Sequence, residues 1–291
     1  MNPPESLSEA DKKTSPRRHP SLELLDKKRF VLMGIVNVTP DSFYDGGSHD
    51  TCEPACDHAR RLINEGADIL DIGGESSRPG SLPVSAEEEQ GRVIPVIEQL
   101  KKETDVLISV DTAKAAVAKA ALDAGAAWIN DISAGRFDRG MAPLAAQRAC
   151  PVVLMHSRKT PEIMQVDPSY DDVIREVRDE LLVCVKDFTD RGVLRENIIL
   201  DPGIGFAKRF EDNIEILRHL SAFAALPFPI LIGTSRKSFI GHITGKEAQY
   251  RLCGTLGSVA AAYTGGVKIF RVHDVGETKD FLSVLSTIED R

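Results

Sequence analysis

The chain has 291 residues, 42% hydrophobic and 27% charged, the balance of an ordinary soluble globular protein. Its formal net charge of −8 argues against a general nucleic-acid surface, and its apolar runs fall short of the roughly 20 residues that a bilayer-spanning helix needs. The first 27 residues hold no apolar stretch of the secretory type, and five cysteines without framework spacing read as reduced thiols, so a cytoplasmic protein is expected.

In chain order, residues 1–27 are rich in Pro, Ser and charge and read as a disordered polar tail, with Lys12, Lys13, Arg17 and Arg18 solvated. Residues 28–291 read as a single domain. Its first apolar run, FVLMGIV at 30–36, predicts a strand. Cys52 and Cys56 then share a helix face, but only His58 stands near them, too few ligands for a metal site.

From there one pattern recurs: an amphipathic stretch, a glycine, a short apolar run and an abrupt polar end. It is clear in INEGADILDIGG (63–74), LDAGAAWINDIS (122–133), TDRGVLRENIILDPG (189–203) and YTGGVKIFRVHD (263–274). Gly66, Gly125, Gly192 and Gly266 suit left-handed residues closing helices, and the apolar runs suit strands buried on both faces. VLISV (106–110), VVLM (152–155) and PILI (229–232) complete a set of eight. Eight alternating β and α units over about 240 residues predict a closed α/β structure, a (β/α)8 barrel of the TIM type. An open doubly wound sheet is the alternative, but it usually carries a G-x-G-x-x-G turn, which the chain lacks.

A parallel barrel does its chemistry at the C-terminal ends of its strands. Those ends carry Asn37, Asp71 with GGESSRPG, Asp111, Asn130 and Asp131, His156, Asp201, Ser235-Arg236-Lys237, and Arg271 with His273. Each has a plainer reading: Asp111 or Thr112 as a helix cap, Asn130-Asp131 and Asp201-Pro-Gly as turns, Lys237, Arg271 and His273 as surface residues, His156 as a hydrogen-bonded support. Asp111, Asn130, Asp201 and Lys237 offer donors and acceptors for a flat, nitrogen-rich heterocycle. Arg78, Arg271 and His273 suit an anion such as diphosphate, and Asn37 offers an oxygen for Mg²⁺. Two long connections, 37–49 and 75–85, read as covers over the site.

Taken together, GIVNVTPDSFYDGG (34–47), GADILDIGGESSRPG (66–80), ISVDT (108–112), INDISAG (129–135), VVLMH (152–156), ILDPGIGFAK (199–208), SRKSFIG (235–241) and FRVHD (270–274) resemble the dihydropteroate synthase family, over residues 30 to 290. The resemblance implies that (7,8-dihydropterin-6-yl)methyl diphosphate is condensed with 4-aminobenzoate to give 7,8-dihydropteroate and diphosphate. It implies pterin binding by Asp111, Asn130, Asp201 and Lys237, a Mg²⁺ ligand in Asn37, and an anion site at Arg271 and His273. The aminobenzoate surroundings would be Phe43, Ser77, Arg78, Pro79, Phe206, Lys237 and Ser238, with Asp45 on a loop that closes over the reacting centre. Catalysis would then rest on Asp111, Asp45, Lys237 and Arg271. A homodimer through late helices and inhibition by sulfonamides are further implications. Ser77 departs from the Thr common in the family, which keeps the hydroxyl and leaves sulfonamide sensitivity open. Two competing expectations are a pterin-binding methyl-transfer module, which needs no diphosphate site, and a non-catalytic barrel that only binds.

Overall fold

The computed structural model describes residues 18–39, 52–78 and 80–289. All eight apolar runs form strands: β1 Val31–Asn37, β2 Ile69–Gly73, β3 Leu107–Asp111, β4 Trp128–Asp131, β5 Val152–Met155, β6 Ile198–Asp201, β7 Leu231–Ile232 and β8 Ile269–Val272. They make one sheet in the order β6-β5-β4-β3-β2-β1-β8-β7, every hydrogen-bonded pair parallel. A parallel bridge between Leu200 and Ile230 joins β6 to the residue before β7 and closes the barrel.

The helices run α1 Leu24–Lys27, α2 Cys52–Glu65, α3 Ala86–Glu103, α4 Ala115–Asp123, α5 Met141–Arg148, α6 Val173–Asp190, α7 Phe210–Arg218, α8 Leu220–Ala224, α9 Ser238–Thr244, α10 Leu252–Thr264 and α11 Val275–Glu289. Gly66, Gly125, Gly192 and Gly266 all have positive φ, between 90° and 114°, as their position after each helix requires. Ser85 caps α3 by accepting from the Glu88 amide. Cys52 and Cys56 are residues of α2, and no disulfide joins the five cysteines.

Strand side chains alternate between two destinations. Leu32, Leu70, Ile108, Ile129 and Leu200 face the helices and join the large core between sheet and helix layer. Val31, Met33, Ile69, Trp128, Val153, Ile199, Leu231 and Ile269 form a separate apolar layer inside the barrel. Two residues further along these strands come Ile35, Asp71, Asn130, Met155, Asp201 and Arg271. Each strand is thus apolar at its start and mostly polar at its end. The apolar floor supports a polar mouth about 6–7 Å above it, two residues of strand rise.

Residues 18–27 depart from the sequence reading, which assigns them to a disordered tail. Pro20–Glu23 forms a 3-10 helix that runs into α1. Leu22 and Leu25 pack into the apolar layer inside the barrel, Leu22 with no exposure at all. The Trp128 indole N–H donates to Ser21 Oγ at 2.7 Å, and the His19 amide donates to Asn197 Oδ1 at 2.8 Å. This short segment closes the N-terminal mouth of the barrel; the rest of the assigned tail lies outside the described residues. Leu22→Ala is expected to cost about 2–5 kcal/mol, as for other buried leucines. Urea unfolding checks this, and a loss under about 0.5 kcal/mol would show that the cap contributes nothing.

Candidate active site

The polar strand ends line one cleft of about 1290 Å³ at the C-terminal mouth. Asn37, Ser77, Arg78, Asp111, Asn130, Asp201, Phe206, Lys237, Ser238, Arg271 and His273 all border it, so every described residue assigned from sequence is brought to the same space. Phe43, Asp45 and Pro79 lie outside the described residues.

Alternation separates site residues from supporting neighbours. Asn130 points into the barrel, while Asp131 makes the turn, accepting from the Ser133 amide at 2.8 Å, Ser133 Oγ at 2.7 Å and the Gly135 amide at 2.7 Å. Asp111 is likewise released from capping: Thr112 Oγ1 accepts from the Lys114 amide, and Asp138 accepts from the Ala115 amide at 2.8 Å. Gly73 lies beside Asp111 in register, where a Cβ would come within 3.3 Å of the Asp111 Cβ.

Asp201 accepts from the Gly203 amide at 2.7 Å. Gly203 has φ +70°, and a Cβ there would fall 2.0 Å from the His156 carbonyl oxygen, so this turn admits only glycine. Beyond it, Met155, Met164, Phe206, Ala207 and Ile132 form a small apolar cluster. Lys237 Nζ stands 4.0 Å from the centre of the Phe206 ring. The result is an apolar wall edged by Asn130, Asp201 and Lys237, suited to a flat ring with polar edges. Burial pushes the Asp201 carboxyl up and the Lys237 amine down, and the attraction between the two opposes both shifts.

On the other side the structure revises the separation of heterocycle and anion pockets read from sequence. Arg271 does not stand apart from Asp111: its Nη2 donates to Asp111 Oδ2 at 2.6 Å, and its Nε donates to Asp71 Oδ2 at 2.6 Å. Asn130 Nδ2 donates to the same Asp71 oxygen at 2.9 Å. Arg271 is an inward residue of β8, and its long side chain spans the barrel to carboxylates on β2 and β3. Burial works against the guanidinium's charge, but Asp71 and Asp111 outweigh it and hold Arg271 charged. Burial pushes Asp111 upward and Arg271 pulls it back.

His273 serves the mouth as a neutral ring. Ser235 Oγ accepts from the His273 amide at 3.2 Å and lies 2.9 Å from Nδ1. The serine oxygen has a second lone pair, so this contact can serve either tautomer; with the hydroxyl donating to Nδ1, the ring proton sits on Nε2. Burial, with the nearby Arg271 and Arg236, pulls the imidazole down to about 3. It can therefore bind an anion as an N–H donor, not as a cation.

Sequence reading assigns no role to four residues that the structure places in or under the site. Asp71 is the first. Arg236 is the second: it lines the cleft with φ +58° and pairs with Asp274. The third and fourth, Lys208 and Glu180, flank His156 in a row that runs from the buried lysine to the partly exposed glutamate. Lys208 Nζ lies 2.9 Å from His156 Nδ1 and 3.1 Å from the Phe206 carbonyl; His156 Nε2 lies 2.9 Å from Glu180. His156 is thus a buried support, in keeping with its exclusion from the catalytic set. Burial pulls it down to about 3 and Lys208 down to about 7. Burial would raise Glu180, but hydrogen bonds from His156 and Arg158 outweigh it and hold it at about 2.

The linkage has one sign. Unfolded His156 takes a proton below 6.5 and the folded ring only near 3, so stability is complete above 6.5 and falls as pH drops through that window. His156→Gln keeps a donor and an acceptor without that titration. It is expected to flatten the fall in melting temperature between pH 7 and 5; an unchanged slope would remove His156 as its source.

A family model described as pterin binding enzyme matches residues 33–273. The chain belongs to the pterin binding enzyme family. It is 48% identical over 249 residues to the dihydropteroate synthase of Bacillus subtilis (strain 168), covering 86% of this chain and 85% of that protein. The structure of Xanthomonas albilineans dihydropteroate synthase with 4-aminobenzoic acid superposes with a TM-score of 0.86 at 45% identity, covering 92% of this chain and 95% of that one. That of Yersinia pestis dihydropteroate synthase with a sulfonamide drug gives 0.86 at 40% identity, covering 92% and 96%. The barrel predicted from sequence is thus the fold of these enzymes.

Proposed function

We propose that this chain is a dihydropteroate-forming transferase that joins (7,8-dihydropterin-6-yl)methyl diphosphate to 4-aminobenzoate, releasing diphosphate. The observation that carries the reading is a single cleft holding both an apolar wall with polar edges and the Arg271–His273 corner, in a chain 40–48% identical to dihydropteroate synthases over most of its length. Asp111, Asn130, Asp201 and Lys237 hold the pterin. Ser77, Arg78, Phe206, Lys237 and Ser238 border the aminobenzoate, with Phe43 and Pro79. Sulfonamides, which the Yersinia enzyme binds, compete there.

The route is SN1-like. The C–O bond to diphosphate breaks first, leaving a cationic methylene that the electron-rich dihydropterin and the Asp111 carboxylate stabilise. Arg271 and the His273 Nε2–H stabilise the departing negative charge. The aromatic amine then forms the C–N bond and loses its proton. Its low basicity means that no strong base need act before attack. Asp45, on its loop, adds negative charge near the cation and helps exclude water.

Asn37 ends β1 at the cleft with one amide oxygen. Among the described residues no three His, Cys, Asp or Glu stand together as a metal site. These residues therefore fit Mg²⁺ held by Asn37, substrate phosphate oxygens and water, not a closed protein cage. Mg²⁺ bound so would neutralise charge on the leaving diphosphate.

A homodimer and a cytoplasmic location belong to the same proposal. The late helices expose Ile243, Tyr250, Val284 and Ile288, apolar surface that a second copy would cover. No helix among the described residues is long and apolar enough to cross a membrane.

The deciding experiment mixes the two substrates with the chain and follows dihydropteroate and diphosphate, with Mg²⁺ and with chelator. Stoichiometric formation of both products that fails under chelation is expected. Absence of product with Mg²⁺ present would refute the reading.

A further inference from the structure

We propose that Asp71 is a positioning residue, the fixed pivot of Arg271, and that Arg271 works as an anion-operated latch over Asp111. The proposal rests on the functional reading above and deepens it.

Asp71 sits at the third residue of β2, inside the barrel and with no exposure. It is not among the residues that border the cleft. Its Oδ2 accepts from Arg271 Nε at 2.6 Å and from Asn130 Nδ2 at 2.9 Å, while its Oδ1 has no partner among the described residues. A buried carboxylate with so few partners is costly, and its pairing with Arg271 is what makes it tolerable. Removing Arg271 from Asp71 would leave that carboxylate buried without its cation. Arg271's other end is held differently. Nη2 pairs with Asp111, which reaches the cleft and is partly exposed. Nη1 makes no hydrogen bond among the described residues, and the side chain itself borders the cleft beside His273 and Ser235.

The guanidinium thus has one deep anchor and one shallow one. Its outer charge is spent on Asp111, the residue that must face a pterin. A diphosphate at the mouth offers a stronger partner. Rotation about the Asp71-held Nε lets Nη1 and Nη2 meet the anion and frees Asp111 Oδ2 and its charge. Coupling of this kind is reciprocal: an anion tightens pterin binding and a pterin tightens anion binding by the same factor. A pterin without a diphosphate must break the Arg271–Asp111 pair with nothing in return. The latch therefore discriminates between pterins that carry the leaving group and those that do not.

The test titrates the full chain calorimetrically with a phosphate-free 6-hydroxymethylpterin, with and without inorganic diphosphate, Mg²⁺ being present in both arms. About tenfold tighter pterin binding with diphosphate is expected, within the usual range of coupling between sites. Equal dissociation constants in the two arms would overturn the latch. Failure to bind the pterin in either arm would overturn the functional reading with it, whereas turnover in the coupled assay without this coupling would sink the latch alone.

Two variants separate the parts. Arg271→Met removes the latch: coupling should vanish, and the phosphate-free pterin should bind no more weakly than it does to the wild type without diphosphate. Asp71→Asn keeps the shape and weakens the pivot. The KM for the dihydropterin diphosphate should rise about tenfold while that for aminobenzoate stays put. Equal rises in both, or no rise in either, would reduce Asp71 to a structural residue. If either variant fails to fold, the wild-type titration still decides the latch.

Discussion

Asp111→Asn is expected to lower kcat by a factor on the order of 10²–10³, the loss seen when one preorganised electrostatic group is removed from other enzymes. The substitution is nearly isosteric. An asparagine can still accept from Arg271, and Asp71 still neutralises the guanidinium, so the barrel should fold with little change in melting temperature. What disappears is the negative charge beside the methylene carbon when the C–O bond breaks. That charge matters more here than at a surface, because the mouth lies on an apolar floor and is walled by Met155, Ile132 and Phe206. The effect should fall on kcat, since a cation exists only near the transition state. The measurement is steady-state turnover with both substrates saturating. Near wild-type kcat would remove Asp111 from cation stabilisation and leave it a pterin-binding group only.

The placement of Asp111, Asn130 and Asp201 at one mouth was legible in the sequence because a strand has a period of two and these residues end apolar runs. Inward positions are fixed by that spacing once the run is recognised, and the glycines at 66, 125, 192 and 266 marked where four of the eight runs begin. Asp71 shares the spacing but has no visible partner in sequence. Its meaning depends on Arg271, some 200 positions away on β8, whose side chain crosses the barrel. Spacing along one strand carries no information about such a crossing. Lys208 and Glu180 were hidden for a related reason: one follows a turn, the other lies on α6, and only the fold stacks them on His156. The segment PSLELLDKK failed differently. Its local composition is polar, and four helical residues are too few to be stable alone. Its order comes from Leu22 and Leu25 entering the apolar layer beside Trp128, a tertiary effect that local composition cannot show.

Arg271→Ala should lower kcat/KM for the dihydropterin diphosphate by at least about 30-fold, and it should also destabilise the fold. The first effect follows from losing the charged group that meets the diphosphate, since hydrogen-bonded pairs with one partner removed typically cost 2–5 kcal/mol. The second follows from the pairing: without the guanidinium, Asp71 and Asp111 are two carboxylates on neighbouring strands with no cation between them. Breaking such a buried pair from one side costs about 3–5 kcal/mol, a fall in melting temperature on the order of 10 °C for a chain of this size. The two effects come apart with pH. Burial pushes the Asp111 carboxyl up and only Arg271 pulls it back, so without the guanidinium Asp111 takes a proton more readily and the variant's stability deficit should shrink as pH falls, while its kinetic defect should not recover, because no proton replaces the guanidinium at the anion. Melting temperatures and kcat/KM measured from pH 8 to 5.5 check both. A deficit in melting temperature that is the same at every pH would show that the carboxylates were never held by Arg271, and unchanged kcat/KM at pH 8 would remove Arg271 from the anion site.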